Sequence, residues 1–137
     1  MTINYRPQRP TPEQMIELYR ACTLGARRPL GQDGAAKTMM ERSNIVITAW
    51  AGDLLVGMAR AWTDEVHITY LADVAVRESH QKFGIGKRLI RLVKEAAPKT
   101  LMVLIAAPQA HEYYGRIGFA QHRSCWVLRP EMEIAGA

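Results

Sequence analysis

The segment Gln81-Lys82-Phe83-Gly84-Ile85-Gly86-Lys87-Arg88 constrains the fold of this chain more than any other. An apolar strand pattern precedes it, Tyr70-Leu71-Ala72-Asp73-Val74-Ala75-Val76. After it, Lys87 to Ala97 sets Leu89, Ile90, Val93 and Ala97 on one helical face. Glycines at such a joint let the backbone pass close to a ligand and turn its N–H groups outward. The helix N-terminus adds unpaired donors and partial positive charge, a combination that suits a phosphate-sized anion. Lys82, Lys87 and Arg88 place fixed positive charge around the turn. The expectation is a pyrophosphate cradle at a strand-to-helix turn.

Spacing excludes the two common glycine motifs. A P-loop needs a glycine five residues before Gly86 and a Ser or Thr after the lysine; those positions hold Gln81 and Arg88. A dinucleotide turn needs a third glycine where Leu89 stands. The net charge of +5 and pI near 9.5 raise nucleic-acid binding as a class. The clearest basic cluster, Lys82 to Arg91, coincides with the cradle, however, and no aromatic ladder interleaves with it. An anionic cosubstrate accounts for the charge, and no nucleic-acid partner is expected.

The chain's 137 residues fit one domain, 1–137, large enough to bury about two-thirds of its extended surface. A hydrophobic content of 48% excludes a disordered tail protein. The longest apolar run, Leu101 to Pro108, falls far short of the roughly 20 residues of a bilayer span, so no membrane partner is expected. Met1 to Pro7 has no hydrophobic leader region. Cys22 and Cys125 make no metal spacing or disulfide framework, and His67, His80, His111 and His122 form no metal motif. The expectation is a cytoplasmic protein without a metal.

Ile3 to Arg6 reads as a first strand, ended by Pro7 and Pro10. Thr11-Pro12-Glu13-Gln14 has the form of a capping box opening a helix, and a second helix is expected from Gly34 to Arg42, capped by Asp33. Ile45–Trp50 and Leu54–Trp62 form a hairpin about Ala51-Gly52-Asp53. A strand over about Val66–Val76, the cradle helix, a strand Leu101–Ala106 and a helix Gln109–Arg116 follow. Phe119–His122 and Cys125–Leu128 are expected to close the sheet. The fold class is α/β: a mixed, mostly antiparallel six- to seven-stranded sheet with helices on both faces.

Gln81, Gly84 and Gly86 match Gln/Arg-x-x-Gly-x-Gly/Ala, and here the chain resembles the GNAT superfamily of N-acetyltransferases. A second match lies downstream, where Ala110-His111-Glu112-Tyr113-Tyr114-Gly115-Arg116-Ile117-Gly118-Phe119 is similar to that family's aromatic-Tyr-x-x-x-Gly-Phe segment. The Asp73-Val74-Ala75-Val76 run is most similar to small bacterial members and to plant-type serotonin N-acetyltransferases. The resemblance implies a sheet splayed between its fourth and fifth strands, with acetyl-CoA as cosubstrate and no metal. Val74, Ala75 and Val76 would then give main-chain contacts to pantetheine, and Gln81, Lys82, Phe83, Gly84, Ile85, Gly86, Lys87 and Arg88 would give N–H groups to the pyrophosphate.

The implied reaction is direct attack of an amine on the thioester through a tetrahedral intermediate. The N–H of Val74 or a close neighbour would be the oxyanion donor and Tyr114 the general acid. Tyr113 and Tyr114 are also eligible as packing aromatics. Many family members carry a glutamate where Tyr70 stands. Asp73 is the nearest carboxylate, a candidate base if a β-bulge turns it toward the face of Tyr70, or else a buried aspartate that needs partners. Trp50 and Trp62 read as core, as a dimer contact that leaves a homodimer open, or, for Trp62, as the wall of an aromatic acceptor site. The reading is acetyl transfer to a primary amine, an arylalkylamine fitting the aromatics. The alternatives are a protein amine as acceptor, or a non-catalytic module that binds acyl-CoA as a sensor or partner-binding domain.

Overall fold

The computed structural model describes residues 2–136, which fall into two compact units, one ending at Ile105 and one beginning at Ala106. In the first unit the order is β1 (Asn4–Arg6), α1 (Pro12–Arg20), α2 (Ala35–Glu41), β2 (Ile45–Ala51), β3 (Leu54–Thr63), β4 (Ile68–Val76), α3 (Ile85–Ala96) and β5 (Leu101–Val103). The sheet runs β1-β2-β3-β4-β5; the first three pairings are antiparallel and β4–β5 is parallel.

Local chemistry starts α1 as the sequence predicts. Thr11 Oγ1 accepts from the Gln14 N–H at 3.1 Å, and Gln14 Oε1 accepts from the Thr11 N–H at 2.8 Å, with Pro12 opening the helix. α2 departs from expectation: its N-cap is Gly34 at φ +71°, with no side-chain cap from Asp33. The turn between β3 and β4 closes on Asp64, whose Oδ1 accepts from the N–H groups of Val66, His67 and Ile68. The donors of Ile68, His67 and Val66 pull that carboxyl down to about 2.

α1 and α2 cover one face of the sheet and α3 the other. Met58 and Ala75 pack with Met15, Leu18 and Met40 in the core under α1 and α2. Their strand neighbours Gly57 and Val76 point the opposite way. A Cβ on Gly57 would meet Ile85 Cγ2 at 3.0 Å, Leu89 Cδ1 at 3.1 Å and the Ala75 carbonyl oxygen at 3.3 Å, so α3 is seated where only a glycine leaves room. Ile85, Leu89, Ile90 and Val93 form its buried stripe, each worth about 1.5–3 kcal/mol when fully buried. Gly57→Val is expected to cost about 1–3 kcal/mol by overpacking this contact, read from the urea midpoint. A variant as stable as the parent would show that α3 does not rest on Gly57.

In the second unit a short 3₁₀ turn, Pro108–Ala110, leads into α4 (His111–Arg116). The two strands expected at Phe119–His122 and Cys125–Leu128 are not formed among the described residues, so the sheet has five strands rather than six or seven. Each segment is short, and a two-stranded arm without a further paired strand is marginal in water. Trp126 is 93% exposed, which shows directly that its apolar side chain has found no partner layer. Among the described residues no helix is long and apolar enough to cross a membrane.

Candidate acyl-transfer site

The strand that leads to the cradle carries a β-bulge. Asp73 lies opposite Arg60 and Leu71 opposite Ala61, so Ala72 is an extra residue on β4. Its consequence is a change of phase. Before the bulge, the Asp64 N–H donates to the Ile68 carbonyl at 3.2 Å. The two-residue alternation of an antiparallel ladder therefore turns the main-chain groups of Ile68 and Tyr70 toward β3. After the bulge, the Arg77 N–H donates to the Val56 carbonyl at 2.8 Å, so Ala75 and Asp73 face β3 and Val74 and Val76 face away from it. In an unbulged strand Val74 would face β3.

The open side of β4 begins where β5 leaves it. The parallel pairing covers Ile68–Tyr70 against Leu101–Val103, and on that side Leu71 to Val76 continue without a paired strand among the described residues. This is the expected splay. Of the three residues expected to offer main-chain contacts there, Val74 and Val76 qualify by direction. Ala75 does not, because its groups are turned to Met58 on β3. The Val76 carbonyl is taken by Gln81 Nε2 at 2.9 Å, which ties the first residue of the glycine motif back to the strand end.

Beyond Val76 the chain makes a 3₁₀ turn, Glu78–His80, and reaches α3 through Lys82 at φ +70° and Gly84 at φ +83°. A lysine in the left-handed region is strained, of the kind that persists where surroundings over-determine it. Gly84 is the N-cap and no side chain caps the helix there. The Arg88 N–H, bonded to the Gly84 carbonyl at 3.0 Å, marks the first intrahelical bond, which leaves the N–H groups of Ile85, Gly86 and Lys87 as first-turn donors. Nothing lies within 4 Å of a Cβ built on Gly84, so the approach is open. Lys82, Phe83, Lys87 and Arg88 are exposed around it while Ile85 is buried and anchors the turn. Arg88 holds its guanidinium over the Tyr5 ring, 5.8 Å from the centroid. These residues fit a pyrophosphate.

The bulge also rearranges side chains. Tyr70 stacks on Trp62, with centroids 6.3 Å apart and planes 17° apart; the Arg60 guanidinium lies 4.8 Å from the Trp62 centroid; and Arg60 Nε donates to Asp73 Oδ2 at 2.6 Å. Tyr70 and Asp73 thus share the face covered by α1 and α2, as the sequence reading requires of a bulge. Asp73, however, is 2% exposed. Its Oδ2 also accepts from the Tyr19 hydroxyl at 2.6 Å, and its Oδ1 accepts from Arg28 Nε at 2.7 Å. Burial pushes the carboxyl pKa up, but Arg60, the Tyr19 hydroxyl and Arg28 outweigh that and hold it below the usual carboxylate range. The candidate base is therefore an ionised, enclosed carboxylate with three donors on it, an anchored arrangement and not the accessible one that proton abstraction needs.

Sequence reasoning missed the partners Tyr19, Arg28 and Arg60. Arg60 had a signal: a lone cation in the apolar strand Leu54–Trp62, next to a strand with a lone anion, is the pattern of a cross-strand pair. Arg28 sits just past the Thr23–Arg27 turn and carries no such periodicity. In the second unit, Tyr114 makes edge-to-face contacts with Tyr113 at 5.4 Å and with Phe119 at 5.5 Å, and the Phe119 N–H donates to the Tyr114 carbonyl at 2.9 Å. Gly118 takes φ +110° to let the chain return, which accounts for the Gly-Phe pair of that segment.

The chain is similar to known proteins. The "uncharacterized N-acetyltransferase ycf52" of Pyropia yezoensis is 30% identical over 115 residues, 77% of this chain and 64% of that protein. The chain thus spans somewhat less than two-thirds of that relative's length. Among solved structures, a ribosomal-protein-alanine N-acetyltransferase from Brucella melitensis biovar Abortus 2308 superposes with a TM-score of 0.73 at 18% identity, covering 94% of this chain and 99% of that one. The aminoglycoside N-acetyltransferase AAC(6')-Iy, solved with CoA, gives 0.70 at 16% identity, covering 95% of each chain. The model of the acetyltransferase (GNAT) family matches residues 12–119. That span takes in the bulged strand, the cradle and the Tyr114 segment together, and this chain belongs to the acetyltransferase (GNAT) family.

Proposed function

We propose that this protein transfers an acetyl group from acetyl-CoA to a primary amine, and that the acceptor is a small arylalkylamine. The observation that carries the reading is one binding edge: the outward main-chain groups of Val74 and the outward N–H of Val76 lead, through the Glu78–His80 turn, to the uncapped first turn of α3. An extended pantetheine arm adds to such an edge as a strand would, and the diphosphate that follows it meets the donors of Ile85, Gly86 and Lys87.

The amine nitrogen attacks the thioester carbonyl carbon and the C–O π electrons move to oxygen. The Val74 N–H donates to that oxygen. As the oxyanion collapses, the C–S bond breaks and the thiolate takes the phenolic proton of Tyr114, whose assignment rests on the motif at residues 110–119. The proton lost by the amine passes to solvent, which returns one to the Tyr114 phenolate, since Asp73 serves as an anchor for the sheet face. The Trp62–Tyr70 pair supports a flat apolar acceptor.

The test is acetyl-CoA-dependent thiol release with tryptamine, phenethylamine, spermidine, an aminoglycoside, an alanine-terminated peptide and a lysine peptide. Turnover with the arylalkylamines is expected. Turnover confined to a peptide or the aminoglycoside would overturn the acceptor, and acetyl-CoA binding without thiol release would favour the non-catalytic module. Tyr114→Phe is expected to lower kcat by about 10²-fold, the contribution of a positioned acid, while the acetyl-CoA Kd stays unchanged. Equal kcat in the two proteins would remove Tyr114 from the acid role.

A further inference from the structure

The residue inserted by the bulge leaves a main-chain carbonyl out of the β3–β4 ladder, and such a group has to find a partner. Arg28 supplies it. Its Nη2 donates to the Ala72 carbonyl at 2.9 Å while its Nε donates to Asp73 Oδ1 at 2.7 Å and its Nη1 to the Arg27 carbonyl at 2.8 Å. One planar guanidinium therefore holds the bulged residue and its successor together, and fastens both to the loop between α1 and α2. From the other side, Arg60 and Tyr19 fix the same carboxylate through Oδ2. Arg60 is in turn held by Ser43 Oγ at 3.1 Å, so its position does not depend on Arg28.

We propose that Arg28 is a positioning residue for acyl transfer: it locks the bulge at Ala72, and the bulge is what turns the Val74 N–H to the open edge. The inference rests on Val74 being the oxyanion donor. The phase of the ladder makes the mechanism specific. Loss of the bulge carries the inward phase of Ile68 and Tyr70 on to Val74, whereas the diphosphate cradle lies beyond Arg77 and is held by Ile85 in the core. Arg28 accordingly acts on turnover and on the Val74 contact of the pantetheine arm, and leaves the diphosphate cradle alone. A lysine has one point charge in place of the fork, so it can meet the Asp73 carboxylate or the Ala72 carbonyl but does not hold both in one plane.

The experiment compares the full-length parent, Arg28→Ala and Arg28→Lys. Asp73-Val74 is the sole Asp-Val dipeptide in the chain, so labelling aspartate carbonyl carbon with ¹³C and valine nitrogen with ¹⁵N reports the Val74 amide as a single resonance. Arg28→Ala is expected to move or broaden that resonance in the free protein while the Kd of ADP, which carries the diphosphate without the pantetheine arm, holds within about twofold. It is also expected to lower kcat by about 10²-fold, the scale of a misplaced oxyanion donor. Low-millimolar guanidinium should restore part of kcat to Arg28→Ala, and Arg28→Lys should recover melting temperature without recovering kcat. A Val74 resonance unmoved in Arg28→Ala would overturn the proposal, as would an unchanged kcat, or activity and melting temperature recovering together in Arg28→Lys. If the parent releases no thiol with any amine, the proposed function fails instead, and the Val74 resonance still decides the role of Arg28.

Discussion

Asp73→Ala is expected to destabilise the protein by about 3–5 kcal/mol, the cost of stranding a buried cation when its counter-charge is removed. The Arg60 side chain is 5% exposed and cannot turn to water, while Arg28, 20% exposed, retains that escape. Against a total stability of about 5–15 kcal/mol for a domain, this loss leaves a marginal fold. Asp73→Asn should cost less, since it keeps the shape and an acceptor oxygen but loses the charge. The pH dependence follows from the sign of the shift. The Asp73 carboxyl is held below its ordinary value in the folded protein, so its contribution is complete above the ordinary carboxylate range and is lost as pH falls through the lowered pKa. Urea midpoints of the parent should therefore fall on acidification below about pH 4, and part of that fall should vanish in Asp73→Asn. A cost under about 1 kcal/mol for Asp73→Ala would mean that Arg60 finds other compensation and that the cluster does not hold the sheet face.

The same cluster marks where the sequence becomes unreadable. The cradle is legible because everything that defines it is contiguous: strand end, glycine, apolar stripe and basic residues lie between Tyr70 and Ala97. The capping box at Thr11 and Gln14 is legible for the same reason. Asp73 is half-legible. Its isolation among apolar residues announces that it needs partners, but they lie 54, 45 and 13 residues away at Tyr19, Arg28 and Arg60. Which of the chain's many cations fills that need depends on register. The bulge is foreseeable as a condition for Asp73 to share a face with Tyr70. Its position at Ala72, and with it the direction of the Val74 N–H, emerges only from the two ladder phases measured on either side. Without that phase, Ala75 is indistinguishable in the sequence from Val74 and Val76 on either side of it. At the other end of the chain, Cys125–Leu128 has strand composition without a strand. Composition records what a segment would bury, and a strand also needs an edge to pair with.

Gly84→Val is expected to weaken CoA binding by at least about tenfold, the effect of losing one or two charge-assisted contacts to phosphate. Two effects combine at this position. A β-branched residue at φ +83° is strained by about 1–3 kcal/mol, which the loop can relieve only by reorienting the peptides on either side of Gly84. The side chain also enters the space over the first-turn donors, where a built Cβ meets no protein atom and so competes with ligand alone. Gly86 separates the two effects. It lies inside the first turn of α3 with ordinary helical geometry, so Gly86→Val tests obstruction with little backbone strain. If obstruction dominates, both variants lose affinity alike and Gly84→Ala loses less. If strain dominates, Gly84→Ala and Gly84→Val both lose affinity and Gly86→Val binds nearly as the parent does. Isothermal titration with CoA, alongside melting temperatures to confirm that α3 stays folded, distinguishes these outcomes. Parent-like affinity in all three variants would show that the diphosphate does not bind at this helix end and would take the main support from the acyl-CoA reading.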